Sequence, residues 1–369
     1  MSRFCFALLL CFQLSNATAQ KVLNNFIDTA NSPGKEIYHL ISDYFKAGKN
    51  SAEGAKYWDA AETKKYTYYD LIGAFECISF SKYACITRIK KLSANSYLLK
   101  MTNMHYDKDE ASMIDNVTYL VKKENDGFKL ANYLPYLTAN WKKLKTGYIT
   151  FYYPPGYPLN ENDAKRGEQF LKKMCVTFDI PERPFSFYVA KDCEQMHNLV
   201  GIESYLEGID QTTCGCIDDK NDIIYSGGKG FYYPHELVHV VNQHFPKAHS
   251  IFLIGISGLY GGHFGKPLSW HQKRIADYIE QHEGEKIDFL SFHLDEHTGP
   301  EYVIGGIFCL EAIKQGGIPK LKKLFSYGKN DEDFYTAIAK EFGIPKDKVN
   351  AYIIEKLKDN TLFAQYNNF

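Results

Sequence analysis

The spacing of apolar positions in the first part of the chain predicts one helix followed by a run of strands. Over residues 35–48 the apolar side chains return every three or four positions, the period of a helix with one buried face. From residue 74 to residue 134 the pattern changes to short β-branched and aromatic runs, which are typical of strands. The predicted strands are 86–89, 97–104, 117–121 and 128–130, with a hairpin turn at Asn125-Asp126-Gly127.

The rest of the chain alternates strands and helices and then becomes helical. The predicted elements are a strand at 148–153, a helix at 160–178, a strand at 185–190, a helix at 193–200 and a strand at 222–225. Beyond Gly265, helices are predicted at 267–283, 302–315, 319–325, 331–342 and 345–357. A run of strands at the start, a mixed middle part and a run of helices at the end together predict the α+β class. The polar, basic segment 136–147 is predicted to link two domains.

Residues 1–19 have the pattern of a secretory signal peptide. Arg3 gives a positive start, residues 4–12 form an apolar run, and Ala17-Thr18-Ala19 is a small-residue cleavage site. The run is too short to span a bilayer, and no other stretch approaches that length. We therefore expect a mature chain that is secreted or periplasmic and has no integral membrane segment. The net charge of −1 over 369 residues gives no indication of nucleic-acid binding.

The cysteines fit an oxidising compartment without forming a dense disulfide framework. Removal of the signal peptide leaves an odd number of them, so at least one thiol stays outside any intramolecular pair. Two pairs are plausible from the sequence, Cys77 with Cys85 and Cys175 with Cys193. Cys214-Gly215-Cys216 lacks the CxxC spacing of a redox motif, and a loop disulfide or a thiol is the simpler interpretation.

The most informative motif is His235-Glu236-Leu237-Val238-His239, which matches HExxH. On a helix, residues four apart lie about 40° from each other on one face, so both imidazoles can bind one Zn²⁺. Glu236 then projects beside the metal, where it can take a proton from bound water. The strand at 222–225 and Pro234 at the first helical position support a helix here. The alternative interpretation is a core helix with two hydrogen-bonded histidines and a solvated glutamate.

The stretch 222–262 resembles the gluzincin metallopeptidases, and more closely the peptidase MA-like families of secreted bacterial proteins. Those families share a short strand, a Pro-His-Glu-x-x-His helix, a loop and an apolar segment with Glu-Gly-x-Ala. Here Gly255 matches the glycine of that segment, and Ser257 stands where alanine is usual. Ile254 occupies the position at which these families carry the third zinc ligand, a glutamate.

The third zinc ligand is therefore left open by the sequence. Catalytic zinc normally has three protein ligands and water, and isoleucine cannot be one of them. The metzincin pattern HExxHxxGxxH offers no substitute, because Asn242 and Phe245 replace its glycine and its third histidine. No spacing rule selects among the remaining candidates, which are His263, His271, Asp277 and Glu280.

The resemblance also implies how a substrate would be held. In gluzincin-like domains the metal helix packs beneath a mixed sheet whose edge strand, here 222–225, adds a peptide substrate by β-augmentation. A tyrosine of the following helical lobe faces the zinc in these families. This implies that Tyr302 stabilises the developing oxyanion by a hydrogen bond, with Tyr260 as the rival.

Two hypotheses for function follow from the predicted architecture. Residues 21–140 resemble the NTF2-like (cystatin-like) fold, a helix on a curved antiparallel sheet, and 147–369 resemble a gluzincin-like domain with a mixed α/β N-lobe and an all-helical C-lobe. One hypothesis is a secreted metallopeptidase in which His235 and His239 hold Zn²⁺ and Glu236 is the general base. The other is a catalytically degenerate fold that binds a peptide or protein without cleaving it. A structural envelope protein is a third reading.

Overall fold

The computed structural model describes residues 20–24, 27–74, 83–107, 110–204 and 213–366. The predicted signal peptide, residues 1–19, and Cys77 lie outside the described residues. Helices combine with two mixed β-sheets, in agreement with the predicted α+β class. Among the described residues, no helix has both the length and the apolar character needed to cross a membrane.

The elements run in the following order along the chain. The first part contains β1 (Lys21–Leu23), α1 (Gly34–Ala47), α2 (Ala60–Lys65), β2 (Tyr83–Ser93), β3 (Ser96–Asp107), β4 (Glu110–Glu124), β5 (Gly127–Ala131) and α3 (Leu134–Leu137). The middle part contains β6 (Lys142–Thr146), β7 (Ile149–Tyr153), α4 (Glu161–Phe178), β8 (Phe185–Ala190), α5 (Cys193–Val200), β9 (Ile202–Ser204), β10 (Cys214–Asp218) and β11 (Ile223–Gly227). The last part contains α6 (Pro234–Asn242), α7 (Ser250–Gly261), α8 (Leu268–Gln281), α9 (Pro300–Leu324), α10 (Asp331–Phe342) and α11 (Val349–Leu357).

The first sheet has the strand order β1-β2-β3-β4-β5, with β9 paired to β4. Strands β2 to β5 are antiparallel neighbours, as the short strand runs of the sequence predict. Glu124 pairs with Gly127 across the predicted hairpin turn, and Gly127 has a φ of 127°, which only glycine adopts readily. Helix α1 buries the apolar face that its spacing predicts, with Ile37, Ile41 and Tyr44 fully enclosed.

The second sheet has the strand order β10-β11-β8-β7-β6. Strands β11, β8 and β7 are parallel, and antiparallel strands lie at both edges. The segment 136–147, predicted as a linker, contains the edge strand β6. The prediction that 222–225 forms the sheet edge is wrong. Residues 214–218 were not recognised as a strand, and they pair with β11 and cover that edge.

A disulfide joins Cys193, at the start of α5, to Cys214, the first residue of β10. The predicted pair of Cys175 with Cys193 is therefore wrong. Cys175 packs with Phe187 and Val189 on one face of the second sheet. Cys193 packs with Tyr188 and Tyr225 on the other face, so the sheet itself separates the sulfur atoms of Cys175 and Cys193.

The C-terminal helices form a core of their own, which encloses the long helix α9. The sequence predicts two helices here, 302–315 and 319–325. In the structure α9 consists of two helical segments joined by a kink, where the backbone leaves helical geometry at Gly316 and Gly317, so the predicted break is present. Helix α6 lies between this helical core and the second sheet, since its buried residues belong to both cores.

Candidate metal centre

Helix α6 carries the HExxH motif and is held from two sides. Leu237 and Val240 pack into the core beneath the second sheet. Val238 and Val241 pack into the helical core. Because both apolar stripes are anchored, the helix cannot rotate about its axis, and the direction in which the two histidines and the glutamate project is fixed.

The side chains of His235, Glu236 and His239 converge. One possible ligand atom from each lies within 4.8 Å of the others, and the two imidazole centroids are 5.1 Å apart. His235 is 7% exposed and Glu236 4% exposed, while His239 is partly exposed. The cluster therefore opens to solvent on the His239 side, as a site that admits a ligand must.

His235 is oriented by a backbone carbonyl. Its Nδ1 lies 2.6 Å from the carbonyl oxygen of Gly262, which directly follows α7. Since a carbonyl only accepts, Nδ1 must carry the proton, which leaves the lone pair on Nε2 for a metal. The approach is close because α7 ends in glycine. A Cβ on Gly261 would lie 2.3 Å from the backbone nitrogen of His235.

His239 is oriented by Asn242, one turn further along α6. The amide nitrogen of Asn242 lies 3.1 Å from His239 Nδ1, and it also donates to the Leu253 carbonyl and the Ser257 hydroxyl. Asn242 Oδ1 is buried and has no hydrogen-bond partner among the described residues. Because the Leu253 carbonyl can only accept, the amide nitrogen and not Oδ1 is the group that lies beside His239. Asn242 thus packs against Nδ1 of His239 and fixes the orientation of its ring.

Burial sets the protonation states of the cluster. It lowers the pKa of His235 to about 4 and that of His239 to about 3, with the neighbouring imidazole adding to the effect on His239. Burial also raises the pKa of Glu236 to about 8. Both imidazoles are consequently neutral at pH 7 and can bind a metal without first losing a proton. The carboxyl of Glu236 can release and take up a proton near neutral pH.

Strand β10 forms the wall beside Glu236. A Cβ on Gly215 would lie 2.5 Å from Glu236 Cγ and 2.6 Å from Tyr233 Cε1, so only glycine leaves room for both side chains. The outer edge of β10 is not paired with any strand among the described residues. The disulfide at Cys214 fixes the strand next to this point. An edge strand whose backbone N–H and C=O groups can hydrogen-bond to an added peptide thus lies directly beside Glu236.

Tyr302 and His263 lie together beside His235. Their rings stack with centroids 3.8 Å apart at an interplanar angle of 18°. The Tyr302 centroid is 5.6 Å from that of His235, and the His263 centroid is 6.1 Å from it. Burial, with smaller contributions from the charges of Glu301 and Glu236, raises the pKa of Tyr302. The tyrosine thus stays protonated and is a hydrogen-bond donor at this site.

The other candidates lie elsewhere or are engaged. Tyr260 packs against Tyr366, with ring centroids 5.7 Å apart. His271 uses both ring nitrogens, Nε2 towards the His263 carbonyl and Nδ1 towards the Gly299 N–H. Asp277 forms an ion pair with Lys273 at 2.9 Å, and Glu280 is exposed on α8. Ile254 is 7% exposed on α7. Within the described part of the chain, the grouped metal-binding side chains are those of the HExxH motif.

Sequence reasoning missed three residues that shape the site, namely Gly215, Tyr233 and Asn242. Asn242 carried a usable signal, because a polar residue three positions after His239 lies on the same helical face. Gly215 carried a weaker one, since a glycine inside a strand often marks a close approach. Tyr233 gave no signal, because its position depends on how the loop after β11 reaches α6.

Replacing Asn242 tests whether it orients a metal ligand. We expect Asn242→Ala to weaken zinc binding by about 10- to 100-fold, because His239 loses the partner of its Nδ1. Zinc affinity measured by competition with a chromogenic chelator is the readout. Asn350→Ala is the matched control. Asn350 lies on α11, far along the chain from α6, and its side chain likewise donates to a backbone carbonyl, that of Ile287. Equal zinc affinities in both variants would show that Asn242 has no part in the site.

Comparison with known proteins adds no assignment. No protein-family model matches the sequence, and no curated protein is significantly similar to it. The function must therefore be argued from the geometry of the site.

Proposed function

We propose that the protein is an exported, zinc-dependent peptidase of the gluzincin type. The observation that carries this proposal is the convergence of His235, Glu236 and His239 within 4.8 Å, in a buried cluster where each imidazole has a partner for its second nitrogen. A core helix whose two histidines only form hydrogen bonds within the protein does not need a buried glutamate between them. Burying a carboxylate at 4% exposure is costly, and a cation beside it offsets that cost.

The donor set fits zinc. Neutral imidazole nitrogens are ligands that Zn²⁺ accepts in proteins, and a catalytic site keeps one position for water or substrate. His235 and His239 would hold the ion. When bound, Zn²⁺ lowers the pKa of coordinated water and polarises a substrate carbonyl.

The chain supplies the proton transfer and the positioning. Glu236 takes a proton from the attacking water and passes it to the leaving amine, a role suited to a carboxyl whose pKa lies near neutral. Tyr302 donates a hydrogen bond to the developing oxyanion. The outer edge of β10 holds the substrate backbone as an added strand. This replaces the role that the sequence reading gave to residues 222–225.

Two observations on the fold support the proposed NTF2-like and gluzincin-like domains. Helix α1 on the antiparallel strands β2 to β5 supports an NTF2-like first domain. The second sheet, α6 and the helical C-terminal part support a gluzincin-like second domain. Tyr188 and Tyr225 of the second sheet pack into the core of the first sheet, and β9 pairs with β4, so the two halves are in contact.

A second candidate function is a degenerate peptidase fold that captures a peptide without cleaving it. Ile254 is the observation that favours it, because an apolar side chain stands at the position of the family's third ligand. This candidate keeps the β10 edge as the peptide site. It requires no metal.

The zinc content of the mature chain, residues 20–369, separates these candidates. After exhaustive dialysis we expect about one zinc per chain by elemental analysis. His239→Ala should remove the zinc, because one imidazole cannot retain it. His244→Ala is the matched control, since this half-buried histidine lies just beyond the end of α6. Wild-type protein with near-zero zinc would overturn the peptidase proposal and favour the binding module.

A further inference from the structure

The turn that follows α7 holds a phenylalanine in a backbone conformation that phenylalanine avoids. His263 and Lys266 exchange two backbone hydrogen bonds of 2.9 Å each, and the two residues between them form the turn. Phe264 has a φ of 48° and Gly265 a φ of 71°. Two-residue turns with positive φ at both positions favour asparagine, aspartate or glycine at the first of them. A phenylalanine there is strained.

Burial compensates this strain only in part. The ring of Phe264 packs on the ring of His263, with centroids 3.9 Å apart. The residue is nevertheless 41% exposed, so much of the ring surface gains nothing from burial. A strained residue that leaves a large apolar surface in water, next to a candidate site, indicates a function for that surface.

The turn adjoins the candidate metal centre on the His235 side. Gly262, directly before it, accepts the hydrogen bond of His235, and His263 within it stacks on Tyr302. On the other side, a Cβ on Gly265 would lie 3.6 Å from Lys229 Nζ and 3.8 Å from Thr213 Oγ1. Thr213 immediately precedes β10. The turn therefore spans from the metal helix to the start of the sheet edge that flanks Glu236.

We propose that Phe264 forms an apolar subsite of this centre and selects peptides with a large aromatic or aliphatic side chain beside the bond to be cleaved. This inference rests on the proposed peptidase function. A peptide that adds to β10 presents alternate side chains towards the cleft, and one of them meets the ring of Phe264. The tight turn holds the ring in place, so the subsite exists before the substrate binds.

Two dipeptide hydroxamates test the inference by binding to the zinc-loaded chain 20–369. One carries a phenylalanine side chain, the other an alanine side chain, and the hydroxamate group itself requires the metal. We expect the wild type to bind the phenylalanine compound about tenfold or more tightly than the alanine compound. Phe264→Asn should abolish this preference and keep the affinity for the alanine compound. Phe264→Leu should retain part of the preference.

Thermal unfolding of the metal-free proteins provides the second readout. Asparagine suits the positive φ at this position, so we expect Phe264→Asn to have a melting temperature at least equal to that of the wild type. An undiminished preference in Phe264→Asn would overturn the subsite. A lower melting temperature with weaker binding of both hydroxamates would show that the ring only supports the fold. Absence of binding of either compound to the wild type would instead overturn the metal centre, and the subsite with it.

Discussion

Replacing Glu236 by glutamine should abolish peptide hydrolysis and leave zinc binding intact. The variant keeps the size of a side chain that is 4% exposed and packs against Gly215, so the two imidazoles stay where they are. It removes the group that accepts and returns the proton, and this loss lowers the rate by about 10²- to 10⁴-fold. Hydrolysis of a fluorogenic peptide mixture, with zinc content measured on the same samples, checks both halves of the expectation.

The matched control for this prediction is Glu280→Gln, which makes the same chemical change on the exposed face of α8. It should retain full activity. Activity that survives in Glu236→Gln would rule out this residue as the base and remove the mechanism proposed here.

The same variant has a pH signature in the metal-free protein. Burial raises the pKa of Glu236 from its ordinary 4.5 to about 8 in the folded state. Between these values the folded state binds the proton that the unfolded state has released, so wild-type stability falls as pH rises through this window. Glutamine does not titrate. The melting temperature of Glu236→Gln minus that of the wild type should therefore increase as pH rises from about 4.5 to about 8.

The convergence of the two histidines could be predicted because it is local. Four residues of separation on a helix bring His235 and His239 together whatever the rest of the fold does. Pro234 and the preceding strand identify that helix from neighbouring positions alone. The residues that complete the site come from distant segments. Gly262 reaches His235 because α7 folds back along α6, and Gly215 reaches Glu236 because β10 pairs beside β11.

The two wrong predictions, the sheet edge at 222–225 and the disulfide of Cys175 with Cys193, also depend on contacts between distant segments. Residues 214–218 read Cys-Gly-Cys-Ile-Asp, a pattern without the β-branched alternation of a strand, and they become one because β11 offers an edge to pair with. The disulfide partner of Cys193 then follows from that pairing, which no spacing in the sequence encodes. Periodicity finds elements with a strong intrinsic pattern. It misses those that tertiary pairing imposes.

Gly305→Ala should destabilise the protein strongly, because α7 and α9 cross with their backbones in contact. A Cβ on Gly305 would lie 1.9 Å from the Ile251 carbonyl oxygen and 2.9 Å from the Cα of Gly255. A Cβ on Gly255 would in turn lie 2.2 Å from the carbonyl carbon of Gly305. The helices must move apart to accept a methyl group, which opens the core around them. We expect a loss of at least about 3 kcal/mol in the free energy of unfolding.

The control for this prediction is Gln315→Ala, on the same helix. Gln315 is exposed, so the loss of its side chain should change the free energy of unfolding by no more than about 1 kcal/mol. The crossing also couples stability to the site. Gly305 lies one turn after Tyr302, and α7 ends at the glycines that hold His235. Separation of the two helices must move Tyr302 and the carbonyl of Gly262 away from α6. Zinc affinity in Gly305→Ala should therefore fall together with the melting temperature, whereas an unchanged melting temperature would contradict the close crossing.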